Sequence, residues 1–490
     1  MGMTKQKKCI SERGSIKNHV FHGCKEALSI YETMDDEVIV YFDPDVDGVI
    51  AGLLVCRYLV KHGKRFQWYI NSHRSHDWSL SMNSITGKDV IAVDFLISAE
   101  LVKEICDTGA NLISMDHHEN RKEFISYESS CGKKGIVINN QYPFEDEDGR
   151  YLSGAGVVFE TLIQWDSTFD TRENRELVGI TLLSDIRDIE NPLAERYLYL
   201  LYSAKYNGYL KYLIDNTLGD RDYSFGLPRM DRSYTDYKFS PAINAALRFN
   251  KQEEVVNFIL GTGVLDLRYR DMQKSLVADI KKNIKVVEFP HLYVCYFKDD
   301  SFSSEEKDVL SSFVGLTASS YLDGRKSVIC YLIEDNRLKR ASFRGRINGL
   351  NYNEKMNKYF ECRGHGSACG LIGLKPSRDV FTNVDRVCGD LEVNSGYEQK
   401  IINVMNMSFF VNGKAFTIAE DNMYKLSQNQ VKVRYVGHGA RVKRKGASYV
   451  EYELDGIPVM YFGVPLEEPI MEFPLISPTL ERGIVKFYFD

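Results

Sequence analysis

Three short segments of this chain carry residue types that bind hard divalent cations, and each stands directly behind an apolar run. Asp45 and Asp47 follow Val38–Phe42, Asp94 follows Val90–Val93, and Asp116, His117 and His118 follow Leu112–Met115. Carboxylates joined by an imidazole suit Mn2+ or Mg2+ and differ from the thiolate set of a structural zinc site. In extended backbone, residues i and i+2 face the same side, which predicts that Asp45 and Asp47 aim at one point. Gly48 then lets the chain turn closely into the next element. A further carboxylate, Asp185, ends the run Leu182–Ser184 at the close of a predicted helix. Taken singly, an aspartate after a strand is usually a turn or cap residue, and a histidine pair usually lies on a surface. Joint placement at successive strand ends is what marks these residues as a site.

The elements that must position them alternate strand and helix. Val38–Phe42, Phe66–Ile70, Val90–Val93, Leu112–Met115 and Ile136–Ile138 read as short buried strands. Val49–His62 reads as a buried helix stopped by Gly63, and Ser98–Thr108 as a helix capped by Ser98. Such alternation implies a mainly parallel sheet covered on both faces, whose sites form outside the carboxyl ends of its strands. Residues 153–217 read as helical, and 251–282 as one long helix or two. Strand and helix alternate again over 286–386, predicting a second α/β domain. From about Phe409, short β-rich runs with recurrent Gly and Tyr predict a small all-β module.

Length and composition bound the rest. The chain has 490 residues, enough for two to four domains, with 44% hydrophobic and 27% charged residues, the balance of a globular protein. A net charge of −6 excludes a uniformly basic nucleic-acid binder but not a local basic groove. Ten cysteines without a CxxC pair fit reduced, buried thiols. The longest apolar stretch, Val49–Val60, is interrupted by Gly52 and Arg57 and is too short to span a bilayer. The basic N-terminus lacks an apolar segment behind it, so a cytoplasmic location is expected.

The stretches EVIVYFDPDVDGVIAG (37–52), VDF (93–95), MDHHE (115–119) and LLSDI (182–186) resemble, in order, the acidic motifs of the DHH phosphoesterase superfamily. YLSGAGVVFE (151–160) and FSPAINAALRFN (239–250) are similar, more specifically, to RecJ-type single-strand nucleases. The resemblance covers roughly residues 20–375. It implies four parts: a DHH catalytic domain over 1–250, a connecting helix over 251–285, a DHH-associated domain over 286–405, and an OB-like β module over 406–490. It also implies that Asp45, Asp47, Asp94, His117 and Asp185 hold two Mn2+ or Mg2+ ions, with Asp94 as the bridge. Asp116 and His118 stand beside them as catalytic groups that contact phosphate, and Asp43 begins the motif in a structural role.

In the DHH-associated domain the resemblance implies substrate contacts from Ser342, Arg344, Arg363 and His365. The glycine-rich loop of RecJ-type proteins has only Gly364 before His365 here. Arg74, within YINSHR (69–74), lies where the family places an arginine for a 5′ phosphate. Between Lys425 and Lys445 stand seven basic residues and no acidic ones, among them Lys432, Arg434, Arg441, Lys443, Arg444 and Lys445. Tyr435 and Tyr449 accompany them, the pattern of a single-strand path. The implied activity is 5′-to-3′ hydrolysis of single-stranded DNA, with RNA as a possible partner, to nucleoside monophosphates. Two other readings stand beside it: a DHH phosphodiesterase of short oligoribonucleotides or cyclic dinucleotides, and a nucleic-acid-binding replication or repair accessory protein with reduced catalysis.

Overall fold

The structure is a computed structural model describing residues 21–71, 78–118, 124–141, 151–185, 197–198, 201, 208–217, 230, 234–322, 326–346, 350–365 and 367–394. Beyond these it describes the backbone of six strands between 402 and 489. Internal contacts sort the chain into two compact units, one chiefly of residues before 179 and one chiefly of those after.

The first sheet contains β1 (Glu37–Phe42), β2 (Arg65–Ile70), β3 (Val90–Val93), β4 (Leu112–Asp116), β5 (Ile125–Glu128) and β6 (Lys134–Asn139), in the order β2-β1-β3-β4-β6-β5. Every residue of β3 and β4 is buried, as is β1 beyond Glu37. Burial of consecutive residues requires cover on both faces, which is why these strands read as unbroken Val/Ile runs. The pairs β1–β3, β3–β4 and β4–β6 are parallel, as expected. β5, antiparallel to β6, is not among the expected strands: its signal is the apolar/polar alternation of Ile125-Ser126-Tyr127-Glu128, only four residues long, and not a continuous apolar run.

Register gives this sheet its functional edge. Phe42 pairs with Val93, Val93 with Met115 and Met115 with Ile138. The residues that follow, Asp43, Asp94, Asp116 and Asn139, therefore leave the sheet at one level.

Helix α1 (Val46–Lys61) follows β1, and two glycines bring it close. A Cβ at Gly48 would lie 2.5 Å from the Asp43 carbonyl oxygen, and one at Gly52 2.3 Å from Cδ1 of Phe42. Helix α2 (Ala99–Asp107) begins at Ser98, whose side chain accepts from Leu101 N–H, the expected cap. Helices α3 (Gly154–Trp165) and α4 (Arg172–Ser184) follow β6. Residues 252–283 form two helices, Gln252–Leu260 and Arg268–Asn283, the first ended by Gly261 at φ +78°.

The second sheet is β7 (Lys285–Glu288), β8 (Leu292–Lys298), β9 (Ser327–Glu334), β10 (Arg337–Arg344), β11 (Glu361–His365) and β12 (Ala368–Ile372), ordered β11-β12-β10-β9-β8-β7. It carries helices, as expected, but its pairing is mostly antiparallel, with β8–β9 parallel. The reason is a two-residue hairpin: Asp335 and Asn336, at φ 50° and 60°, join β9 to β10. Phe343, Cys362, Cys369 and Leu371 enter one core, and Val328, Cys330 and Leu332 enter another.

The third sheet is β13 (Ile402–Asn403), β14 (Val433–Lys445), β15 (Val450–Leu454), β16 (Ile457–Tyr461), β17 (Ile470–Glu481) and β18 (Ile484–Phe489). Its order is β13-β14-β15-β16-β18-β17, and β14 also pairs with β17. That extra pairing closes β14, β15, β16, β18 and β17 into a barrel, the OB-like module read from the sequence. Among the described residues no helix is long and apolar enough to cross a membrane.

Candidate metal centre

The carboxyl edge of the first sheet gathers buried acids. Asp43, Asp47, Asp94 and Asp116 are 2%, 3%, 2% and 0% exposed, and His117 and His118 are buried with them. Asp94 adopts φ +61°, a left-handed conformation that aspartate tolerates better than most residues. Such backbone costs about 1–3 kcal/mol and persists where its surroundings hold it. Here the Asp94 N–H donates to Met115 O at 2.9 Å, extending the β3–β4 ladder by one step. The turn points the carboxylate at the histidines: Oδ1 lies 3.1 Å from His117 Nε2 and 3.9 Å from His118 Nδ1.

Three groups of side chains have ligand atoms within 4.8 Å of one another: Asp94 with His117 and His118; Asp47 with His117 and Asp185; and Asp43 with Asp45 and Asp94. All five residues expected as ligands fall within these groups. Asp94 and His117 each belong to two groups and link them.

One reading from the sequence is corrected. Asp45 and Asp47 do not converge on one point, because the backbone between them is not extended. Helix α1 starts at Val46, so Asp47 sits in its first turn, while Asp45 accepts at Oδ1 from Gly48 N–H at 3.0 Å and caps it. Two helical steps turn a side chain through about 200°, and the two carboxylates enter different groups. Asp43, expected in a structural role at the start of the motif, also has a carboxylate oxygen within 4.8 Å of ligand atoms of Asp45 and Asp94. Asp185 follows the last turn of α4, its N–H donating to Thr181 O at 2.9 Å.

Beside the ligands lies a hydrogen-bonded set. Asp116 Oδ1 accepts from His118 Nδ1 at 2.7 Å and from His118 N–H at 3.3 Å. Asp116 Oδ2 accepts from Asn139 Nδ2 at 3.2 Å. A proton on Nδ1 leaves Nε2 of His118 with its lone pair, the form that binds a metal or receives a hydrogen bond. Asn139 escaped the sequence reading, although it stands one residue beyond Ile136–Ile138 at the same edge.

The second sheet supplies positive groups. Ser342 and Arg344 alternate on β10; Arg363 and His365 alternate on β11; and Gly370 and Ala368 of β12 stand between them in register. These positions share a face, opposite the core entered by Phe343 and Cys369. Arg344 donates from Nη1 to Phe343 O at 2.7 Å and to Ser342 Oγ at 3.0 Å, and from Nε to Ser319 Oγ at 3.1 Å. Gly315 makes room, since a Cβ there would lie 2.7 Å from Nη2 of Arg344. Arg363 donates to Glu361 at 2.6 Å, and burial lowers its guanidinium pKa. Gly364, at φ +129°, sits where a Cβ would meet Ala368 O at 2.6 Å, so the glycine before His365 fills a place that admits no side chain.

Arg74 and Lys432 lie outside the described residues. Arg434, Arg441, Lys443, Arg444 and Lys445 all fall on β14. Strand pairing sets Arg441 opposite Glu453 and Arg444 opposite Glu451, with a bulge at Lys443.

The DHH family, N-terminal domain, matches residues 37–203, which contain every residue of the acidic cluster. Among solved structures, RecJ from Thermus thermophilus in complex with Mn2+ is similar at 15% identity and TM-score 0.64, over 97% of this chain and 72% of that one. The complex of RecJ from the same source with Mg2+ matches at 14% identity and TM-score 0.60, over 97% and 71%. An exonuclease RecJ bound to manganese matches at 15% and TM-score 0.52, over 78% and 97%. The fold of the chain is RecJ-like. No curated protein sequence matches it.

The residues fit divalent cations. Concentrated buried carboxylate is stable only with compensating positive charge. Oxygen donors with one or two imidazoles match the preferences of Mn2+ and Mg2+.

Proposed function

We propose that this protein is a metal-dependent phosphodiesterase that removes nucleoside monophosphates from the 5′ end of single-stranded DNA. The observation that carries this reading is the convergence of Asp43, Asp45, Asp47, Asp94, His117, His118 and Asp185 at one sheet edge within a DHH domain. In this reading Asp45, Asp47, Asp94, His117 and Asp185 hold two Mn2+ or Mg2+ ions, Asp94 shared between them. When bound, such ions acidify a water and neutralise charge on phosphate oxygens.

The chain's own residues do the rest. Asp116 accepts from Nδ1 of His118 and so fixes that ring beside Asp94. Helix α1, drawn against β1 by Gly48 and Gly52, holds Asp45 and Asp47 in place. Ser342 holds the guanidinium of Arg344 in one orientation, and a planar fork of donors suits a phosphate of the bound strand. The RecJ-like fold over nearly the whole chain, with a closed β-barrel at its end, supports a polymeric substrate over a dinucleotide.

A substrate panel tests this. Purified protein with Mn2+ is incubated with end-labelled single-stranded DNA, duplex DNA, short RNA and cyclic dinucleotides, with EDTA and Asp116→Ala as controls. Mononucleotides from 5′-labelled single strands are the expected product. Turnover confined to dinucleotide-sized substrates would replace this reading with the short-substrate one. Binding of single strands without metal-dependent turnover would leave an accessory protein.

A further inference from the structure

Two adjacent asparagines, Asn139 at the end of β6 and Asn140 just after it, are both fully buried and face different tasks. Asn139 Oδ1 accepts from Gln141 N–H at 2.7 Å. A backbone N–H can only donate, so this bond fixes which end of the amide is oxygen. Its Nδ2 is thereby committed to Asp116 Oδ2 at 3.2 Å and to His118 O at 3.3 Å. Asn140 turns the other way, donating from Nδ2 to Leu152 O at 3.1 Å. Parallel pairing sets Asn139 opposite Asp116 in register, so the strand itself presents the amide to the acid.

We infer that Asn139 is a positioning residue of the metal centre. It holds Asp116 from the side away from His118 and, through the His118 carbonyl, fixes the backbone that carries both histidines. The inference rests on the metal-centre reading above. An amide suits the task because it supplies two donors without charge. A carboxylate in its place would oppose Asp116 with a like charge and would have no hydrogen to offer the His118 carbonyl. Partners of this kind, one step removed from the ligands, change metal affinity by about 10–100-fold when altered.

The test measures free Mn2+ by electron paramagnetic resonance during titration of the full chain, beside its thermal unfolding. Asn139→Asp, which keeps the shape, and Asn139→Ala are expected to weaken Mn2+ binding about 10–100-fold. Asn140→Ala serves as the neighbouring structural control, expected to lower the melting temperature with Mn2+ affinity kept. With a labelled single strand as substrate, Asn139→Ser, which restores one donor, is expected to recover part of kcat while KM stays near that of the parent. Parent protein that binds Mn2+ with both Asn139 variants equally tight would overturn this inference alone. Weakening by Asn140→Ala equal to that by Asn139→Ala would also overturn it, since burial and not the amide would then be responsible. Parent protein that binds no Mn2+ would overturn the metal-centre reading, and this inference with it.

Discussion

At the edge of the first sheet the charged groups are negative, buried and set by backbone: strand ends, a helix cap and one left-handed aspartate. On the β10–β12 face of the second sheet they are positive, half-buried and set by neighbouring hydroxyls and small residues. The difference follows from strand direction. Parallel strands finish side by side, so residues distant in sequence meet around one point, which suits a cation needing ligands from several directions. Antiparallel strands instead bring alternate residues of neighbours to one face, giving a row of donors over Gly370 and Ala368 that suits an anion lying flat.

The sharpest way to break this comparison is at its centre. Asp94→Asn keeps a residue that tolerates φ +61° but removes the charge shared by two groups. Metal-assisted charge stabilisation is worth several kcal/mol, so Mn2+-dependent hydrolysis should fall about 1000-fold or more, with melting little changed. A loss under tenfold would mean that Asp94 is not shared between ions. Arg344→Ala tests the β10–β12 face. Hydrogen bonds to charged groups contribute about 1.5–3 kcal/mol, so KM for single strands should rise about 10–100-fold with Mn2+ affinity unmoved. Arg344→Lys should recover little, because Lys lacks the fork held by Ser342 and Ser319; full recovery would reduce Arg344 to a point charge.

The third sheet supplies a smaller effect. On β14 the register puts Arg444 at a position paired with Glu451 and Lys443 at the shift between Val442 and Arg444. Lys443→Glu with Arg444→Glu should weaken long-strand binding and flatten its salt dependence by up to about 1.4 in slope for two lost contacts. Unchanged affinity in a salt-titrated binding assay would remove β14 from the path.

Two effects on the scaffold are smaller still. Gly52→Ala forces a Cβ to within 2.3 Å of the Phe42 ring, and overpacking of this kind costs about 1–3 kcal/mol. At Gly370 the nearest neighbour of an added Cβ is Arg363 O at 3.8 Å, so Gly370→Ala should leave urea unfolding unchanged. Thiol labelling then separates the regions. Burial pushes Cys24 up to about 11 and Cys106 and Cys295 up to about 12, whereas the Ser129 hydroxyl lowers the pKa of the exposed Cys131 thiol. Raised thiols stay protonated at pH 8 and react slowly. Of the described cysteines, Cys131 should alkylate first by mass spectrometry; simultaneous labelling of Cys295 would contradict the buried second sheet.

The strands of the first sheet were legible because unbroken Val/Ile runs between turn residues have few other uses. The acid positions were legible for the same reason, since each follows such a run. Their grouping was not. Sequence alone does not reveal that α1 starts at Val46, so it aims Asp45 and Asp47 together and leaves Asp43 outside the cluster. Asn139 carries a signal, a polar pair behind a fifth strand, but hydrogen bonding and not residue type gives it meaning. In the second sheet Asp335-Asn336 is an available hairpin mark, and weighing it gives the antiparallel pairing. The basic run of β14 is conspicuous along the chain, where Glu451 and Glu453 lie outside the window, although pairing sets them beside Arg444 and Arg441.

The central claim is that the first-sheet edge holds paired divalent cations. Anomalous diffraction from crystals grown with MnCl2 measures this directly. Two peaks are expected within the cage of Asp43, Asp45, Asp47, Asp94, His117, His118 and Asp185, both lost in Asp94→Ala with His117→Ala. No peak in that cage at saturating Mn2+, or peaks only at surface carboxylates, would contradict it.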